Sequence, residues 1–495
     1  MRVLAGSPPS LIGCGCASAR SGLPLGSLKC SQLLQIRQSL WVLLSPHVSV
    51  RRWRPARLHC WLPHVPPHGY SRLGEGHKPA GIKKEHGMHV RNTAAVSSEG
   101  AQSATPSTGG DARESIVLLT SRLGMGGAER HMISLANLLS VDFRVVVAYL
   151  KPEEDMIGQL HRHSLAELRC LHAKLRFDLR AARELAELAR AHGANMIVCA
   201  NAYSLMYAQL ARWFSPTPLS VTEIFHTTKL RTLKEHLEMV FYRPFFWAAQ
   251  HLVFVCDGQR QYWRLRGLWA GQTHMIYNGV DVSHFDPAWH DSGIRETREG
   301  FGFGTDDRVV GICAVLRPEK AHIDLLAAVA RVRQAGQRWK VLIIGDGPMR
   351  DTIQREAATL GLQDDIRITG FQSDVRQWLA ACDVVALPST AIETFSIAAL
   401  EAMAMARPMI MSDIGGAREQ VEHGVNGLLF PAGDVRALSE CLRECWDANR
   451  TRQMGVAARQ RVERDFSQQT MIRQYVSLFR NILGVRRQDT AAKSR

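Results

Sequence analysis

Residues 383–401 read Asp383-Val-Val-Ala-Leu-Pro-Ser-Thr-Ala-Ile-Glu393-Thr-Phe-Ser-Ile-Ala-Ala-Leu-Glu401. The stretch opens with an apolar run of the kind that forms a buried parallel strand. From about Ser396 to Met405 the residues favour a helix, so strand, turn and helix follow in succession. Glu393 then lies in the turn and Glu401 in the second helical turn, and both carboxylates can face one crevice at the strand's carboxyl end. The N–H groups of Thr394, Phe395 and Ser396 lack helical partners there, and a helix N-terminus favours anions. Carboxylates suit sugar hydroxyls and amides suit phosphate. The pairing points to a nucleotide sugar.

Outward from this segment, apolar runs alternate with amphipathic helices. Strands are predicted at Ile116–Ser121, Phe143–Leu150, Met196–Ala200, Leu219–Thr222 and Leu252–Val255. A second series is predicted at Arg308–Val315, Trp339–Ile344, Ile366–Thr369, Asp383–Leu387, Met409–Ser412 and Gly427–Phe430. The helices Ala128–Leu139 and Leu179–Ala191 fall between strands of the first series. This order predicts an α/β chain with two doubly wound parallel sheets. A polar, glycine-rich stretch at about 290–307 reads as the linker between them. The expected division is a basic extension over 1–113, a first lobe over 114–290, a second lobe over 291–465 and a last helix over 466–485. That helix is predicted at Ser467–Leu483, returning to brace the first lobe. Ligands of open α/β sheets bind outside the carboxyl ends of the strands, so the site is expected in a cleft between the lobes.

The chain has 495 residues and a net charge of +15. Residues 1–113 hold 14 Lys/Arg against 4 Asp/Glu, which leaves only +5 for the other 382 residues. The folded part carries no basic stripe interleaved with aromatics, which argues against nucleic-acid binding. The extension is rich in Pro, Ser, Gly and Arg without sustained periodicity. It is expected to be disordered or to reflect a start assigned upstream of Met88, with a targeting segment as the other reading. None of the 11 cysteines makes a two-residue zinc spacing, and the body's cysteines read as buried thiols of a reducing compartment.

Three other motifs sit where strands end. Gly124-Met-Gly126-Gly127-Ala-Glu-Arg130 follows the first strand and opens the first helix, letting backbone approach an anionic ligand. Arg317-Pro-Glu-Lys320 puts two cations after the first strand of the second series, which suits a diphosphate leaving group. Glu223-Ile-Phe-His226-Thr-Thr-Lys229 places a histidine on the first-lobe side of the cleft. Gly345-Asp-Gly-Pro348 and Asn278-Gly-Val-Asp281 read mainly as structural turns. Asp-x-Asp, the usual acidic signature for a metal-bound nucleotide sugar, occurs nowhere.

These pieces, in this order, resemble the retaining glycosyltransferases of family 4, whose two Rossmann-like lobes face across a cleft (GT-B). The resemblance covers about residues 115–483 and includes the closing Gly424-Val-Asn-Gly-Leu-Leu-Phe-Pro-Ala-Gly-Asp434. It implies that Glu393 binds donor-sugar hydroxyls, Glu401 the ribose, and Arg317 with Lys320 the departing diphosphate. Thr394, Phe395 and Ser396, with Gly126 and Gly127, would hold phosphate, and His226 would face the anomeric carbon. It further implies a UDP- or GDP-sugar donor, a glycan or lipid-linked acceptor, no metal or other cofactor, and a cytoplasmic protein in peripheral contact with the inner face of a membrane. A nucleotide-sugar epimerase, a phosphorylase and a non-catalytic nucleotide-sugar or surface-binding protein remain the alternatives. Two departures stand out. The family often has Gly where this chain has Ala321, a difference read as one added methyl group, and Gly where it has Thr394, read as narrowing the sugar pocket.

Overall fold

The computed structural model describes residues 113–493 apart from Met125, Thr228, Lys229, Arg231, Asp291, Ser292 and Ile392. The readings made for the N-terminal extension, including Met88, lie outside the described residues, as does Lys229.

Two all-parallel sheets carry the fold. The first joins β1 (Ser115–Thr120), β2 (Arg144–Tyr149), β3 (Glu167–Cys170), β4 (Met196–Cys199), β5 (Ser220–Phe225), β6 (His251–Phe254) and β7 (Gln272–Met275) in the order β3-β2-β1-β4-β5-β6-β7. The second joins β8 (Arg308–Cys313), β9 (Trp339–Ile344), β10 (Ile366–Ile368), β11 (Val384–Leu387), β12 (Met409–Ser412) and β13 (Gly427–Phe430) in the order β10-β9-β8-β11-β12-β13. Their central strands are buried on both faces, as helix-covered parallel sheets require. In each sheet the strand order reverses once, at β1/β4 and at β8/β11. The crevice outside the carboxyl ends of such a pair is where ligands bind.

Three expectations change. Strands β3 and β7, Glu-Leu-Arg-Cys and Gln-Thr-His-Met, lie at the sheet edges and lack an apolar run to announce them. Strand β5 continues past Thr222 to Phe225, so Glu223 is inside the sheet and fully buried. Burial pushes its carboxyl up to about 8, which lets a charged residue type occupy a core position in its neutral form. The stretch read as a linker holds a helix, Gly293–Gly300. Arg298 on it donates to the Ala381 carbonyl at 2.9 Å and to Asp383 at 3.0 Å, so this segment is part of the second lobe.

The chain crosses between the lobes twice, side by side. The Val280 amide donates to the Phe466 carbonyl at 3.0 Å and Gln468 N–H to the Val280 carbonyl at 2.8 Å. A Cβ on Gly279 would lie 2.9 Å from both Gln468 Cα and the Ser467 carbonyl oxygen, so only glycine admits the second crossing. The terminal helix, Gln468–Lys493, runs past the expected end at Leu483. It buries Met471, Tyr475 and Phe479, and it bonds Ser134 through Gln468 and Asp142 through Arg480. Each large side chain so buried contributes about 2 kcal/mol, which fixes the helix against Gly127–Leu139 of the first lobe.

Candidate active site

Both carboxylates of the acid segment face the other lobe or its own cations. Glu393 Oε2 lies 2.7 Å from Lys320 Nζ and accepts from the Ser389 hydroxyl at 2.8 Å. The turn is shaped from below by Gly415, whose φ is +58°. A Cβ there would overlap the Glu393 carbonyl oxygen. Ser396 caps the helix Ile397–Ala404, its hydroxyl accepting from the Ala399 amide at 3.2 Å.

The expected phosphate seat is narrower than the sequence reading had it. The Ser396 amide is committed to Gln420 Oε1 at 3.1 Å, and Gln420 Nε2 returns to the Ser396 carbonyl at 2.9 Å. That amide is not open to an anion. Phe395 serves the lobe junction: its ring stacks on Tyr277 with centroids 4.9 Å apart, and its carbonyl accepts from Asn278 Nδ2 at 3.1 Å. The Thr394 hydroxyl donates to the His226 carbonyl at 3.0 Å, while its own carbonyl accepts from Gly416 N–H at 2.8 Å and from the Cys256 thiol at 3.1 Å. Thr394 therefore ties the two lobes together, and its hydroxyl is engaged away from a sugar pocket.

Glu401 is 8 % exposed, and burial pushes its carboxyl up to about 7. The Arg130 guanidinium, 3.8 Å away on the first lobe, opposes that rise, and the Asp374 carboxylate adds to it. Arg130 thus contacts the second lobe, although only its glycine turn had been read as functional. Within that turn Gly126 caps the helix Gly127–Leu139 without a side-chain cap, and the Glu129 carboxylate folds back over it. Gly127 faces open space.

The two cations sit on a loop braced by backbone. Leu316 N–H donates to the Asp346 carbonyl at 3.0 Å, and the Met349 amide donates to the Leu316 carbonyl at 3.1 Å. A Cβ on Gly347 would lie 2.7 Å from the Leu316 carbonyl oxygen, which makes the Gly345-Asp-Gly-Pro348 turn the prop of the Arg317 loop. Arg317 is exposed, and its guanidinium has no hydrogen bond or ion pair among the described residues. It borders a cavity of about 220 Å³ shared with His322 and Thr390, in which neither His322 ring nitrogen has a partner. Ala321 corrects the sequence reading: at φ +52°, ψ +43° it stands in the left-handed region. The usual glycine there would relieve backbone strain of about 1–2 kcal/mol, so its replacement is more than an added methyl.

His226 comes to the acid turn from the first lobe. The residue is half-buried, its enclosed Nε2 has no partner among the described residues, and burial lowers the imidazole to about 4. The His131 ring meets it edge-on at 4.9 Å, and the Tyr475 hydroxyl reaches His131 Nε2 at 3.4 Å. His131 is held below its ordinary value by burial and by His226. A neutral imidazole with one uncommitted nitrogen can accept or donate one hydrogen bond to a bound group.

Glu419 was missed. Its carboxylate accepts from the Asp257 and Gly258 amides at 2.8 Å each, capping the first-lobe helix Asp257–Leu265 from across the cleft. The signal was present: Gly415-Gly416 follows β12 and opens the helix Ala417–Gln420, the same strand–glycine–helix pattern read elsewhere. Among the described residues, no three His, Cys, Asp or Glu side chains gather in a metal-holding cluster.

Comparison with known proteins follows the same division into lobes. Residues 125–284 match the family model described as Glycosyltransferase Family 4, and residues 293–461 match Glycosyl transferases group 1. The chain belongs to the family 4/group 1 glycosyltransferases. A curated relative, N-acetyl-alpha-D-glucosaminyl L-malate synthase of Bacillus anthracis, is 27 % identical over 42 % of this chain and 53 % of its own length. A GDP-mannose-dependent monoacylated alpha-(1-6)-phosphatidylinositol monomannoside mannosyltransferase of Corynebacterium glutamicum is 32 % identical over 39 % and 52 %. The chain spans about half the length of these curated relatives. Among solved structures, Anabaena HepE in complex with UDP superposes with a TM-score of 0.66 at 22 % identity, covering 74 % of this chain and all of that one. Sucrose-phosphate synthase of Thermosynechococcus elongatus gives 0.64 at 21 % identity over 75 % and 100 %. The family's two-lobed GT-B architecture is the one described above.

Proposed function

We propose that this family 4 glycosyltransferase moves a sugar from a UDP- or GDP-sugar to a glycan or lipid-linked acceptor, with retention of anomeric configuration, in glycoconjugate or polysaccharide synthesis. The observation that carries the reading is the pairing of Lys320 with Glu393 beside Arg317, whose guanidinium is unpaired among the described residues, opposite the half-buried His226. Glu393 would accept hydroxyls of the donor sugar and Glu401 those of the ribose. Arg317 and Lys320 would take the charge that builds on the diphosphate as the anomeric C–O bond breaks. The acceptor oxygen bonds to the anomeric carbon on the face the diphosphate leaves, and its proton passes to a departing phosphate oxygen. His226 Nε2 would hold a hydroxyl of the reacting sugars. The cations supply the charge that a metal supplies elsewhere, so we infer a metal-independent reaction on the cytoplasmic side of a membrane.

A uridine donor is supported by the HepE complexes with UDP and UDP-glucose, and a guanosine donor by the GDP-mannose-dependent relative. Calorimetric titration with UDP-, GDP- and ADP-sugars tests the donor half. One class should bind wild type, and Glu393→Gln should bind it at least tenfold more weakly. Equal binding by both proteins contradicts the role given to Glu393. NMR of the product anomer tests retention, and conversion of the donor without acceptor would turn the reading toward an epimerase.

A further inference from the structure

The glycine turn that opens the helix Gly127–Leu139 carries an anion of its own. A Cβ on Gly126 would overlap Glu129 Oε2, so this carboxylate lies over the turn. Arg122 stands beside it, 3.9 Å from Glu129 and 2.8 Å from Glu153. A phosphate that came to this turn would meet negative charge first. The next residue, Arg130, reaches the second lobe instead, with Nη1 3.8 Å from Glu401 Oε1.

The place of that contact is fixed by a third group. Burial raises the Cys313 thiol, the Glu401 carboxylate adds to the rise and Arg130 opposes it, so both side chains stand over the carboxyl end of β8. There the strand order of the second sheet reverses between β8 and β11, which is where ligands of such sheets bind.

The contact is loose. Its 3.8 Å is beyond hydrogen-bond length. The guanidinium makes no hydrogen bond among the described residues, and 51 % of the arginine side chain is exposed. Burial pushes the Glu401 carboxyl up to about 7, so near neutrality it is only partly charged and holds Arg130 weakly. Asp374, the other acid acting on Glu401, is already bound to Arg376. A planar fork of N–H donors in this position suits a pair of phosphate oxygens better than a half-neutral carboxyl.

We propose that Arg130 is a donor-binding residue that leaves Glu401 as the ribose hydroxyls arrive and takes the α-phosphate of the nucleotide. The proposal rests on the transferase reading, in which Glu401 meets the ribose and Arg317 with Lys320 the diphosphate. The α-phosphate is joined to the ribose through its 5′ carbon, so a cation at the ribose end of the site reaches it by turning one side chain. Nucleotide binding then draws on both lobes.

Competition binding to the full chain tests it, with the nucleosides, nucleoside monophosphates and nucleoside diphosphates of uracil and guanine. For the base that wild type prefers, Arg130→Ala should weaken the mono- and diphosphate by about tenfold or more. It should bind the nucleoside at least as tightly as wild type and melt at the same temperature. Arg130→Lys, which keeps the charge and loses the fork, should fall between the two. Equal weakening of nucleoside and nucleotides would assign Arg130 to Glu401 and the ribose, and unchanged binding of all three would leave it outside the donor site. Either result overturns the proposal alone. Wild type that binds no nucleotide overturns the transferase reading together with it.

Discussion

The two walls of the cleft are built by different means. On the second lobe, the acid turn is shaped by nearby backbone: Gly415 under the Glu393 carbonyl, the Gly416 amide on Thr394, and Gln420 on both sides of Ser396. On the first lobe, the His226 ring packs against His131, which Tyr475 holds in turn from far along the chain, and Thr394 reaches over from the opposite lobe to the His226 carbonyl. A wall made of local backbone tolerates little change in its glycines. A wall made of distant side chains can lose one contact and keep its shape, so its losses should be graded.

The largest effect is expected where charge develops on the leaving group. Arg317→Ala should lower transfer by about 10²–10³-fold and leave the melting temperature in place, because the side chain is exposed and has no partner among the described residues. Steady-state rates and a thermal melt check both halves. A smaller loss is expected from His131→Gln and Tyr475→Phe. Each should lower kcat about tenfold with donor KM unchanged, as a displaced positioning group does. A rise in KM with kcat intact would mean that this wall acts through donor binding instead.

Next comes pH, where the walls oppose each other. Glu401 rises from 4.5 to about 7 through burial, so the folded chain keeps a proton that the unfolded chain releases. Stability therefore falls as pH rises between those values, by on the order of 2–3 kcal/mol. His226 moves from 6.5 to about 4, also through burial, so the unfolded chain charges while the folded one stays neutral. Stability is lost as pH falls through that window. Urea melts across pH 4–8 should show both limbs, Glu401→Gln reducing the first and His226→Gln the second. Glu223, raised to about 8 by burial, keeps part of the first limb in the Glu401 variant. The smallest effect should come from Ala321→Gly, a gain of about 0.5–1 kcal/mol from relieving the left-handed backbone, read in the same melts.

The same contrast explains what the sequence let through. The second-lobe strands were legible because buried parallel strands are continuous apolar runs, and β9, β12 and β13 came out residue for residue. Edge strands β3 and β7 were not, since a half-exposed strand needs no such run. The helix Gly293–Gly300 hid behind a polar, glycine-rich composition, and it is tied to the second lobe by Arg298, which binds residues more than eighty positions away, and by Ile294 against the core. In the site, Glu393 and Lys320 could be named from strand ends, and they meet at 2.7 Å. The roles of Thr394, Ser396 and Ala321 could not. Gln420 commits one amide, His226 engages a hydroxyl, and a positive φ sets the third, none of which leaves a mark in the local residue pattern.

The central claim is that a nucleotide sugar reacts between these walls, and release of nucleoside diphosphate tests it most directly. Incubated with UDP-, GDP- and ADP-sugars, with and without acceptor extract, wild type should release the diphosphate of one donor class, and Glu393→Gln should release it at least a hundredfold more slowly. Equal rates from the two proteins, or no release from any donor by well-folded wild type, would contradict the account.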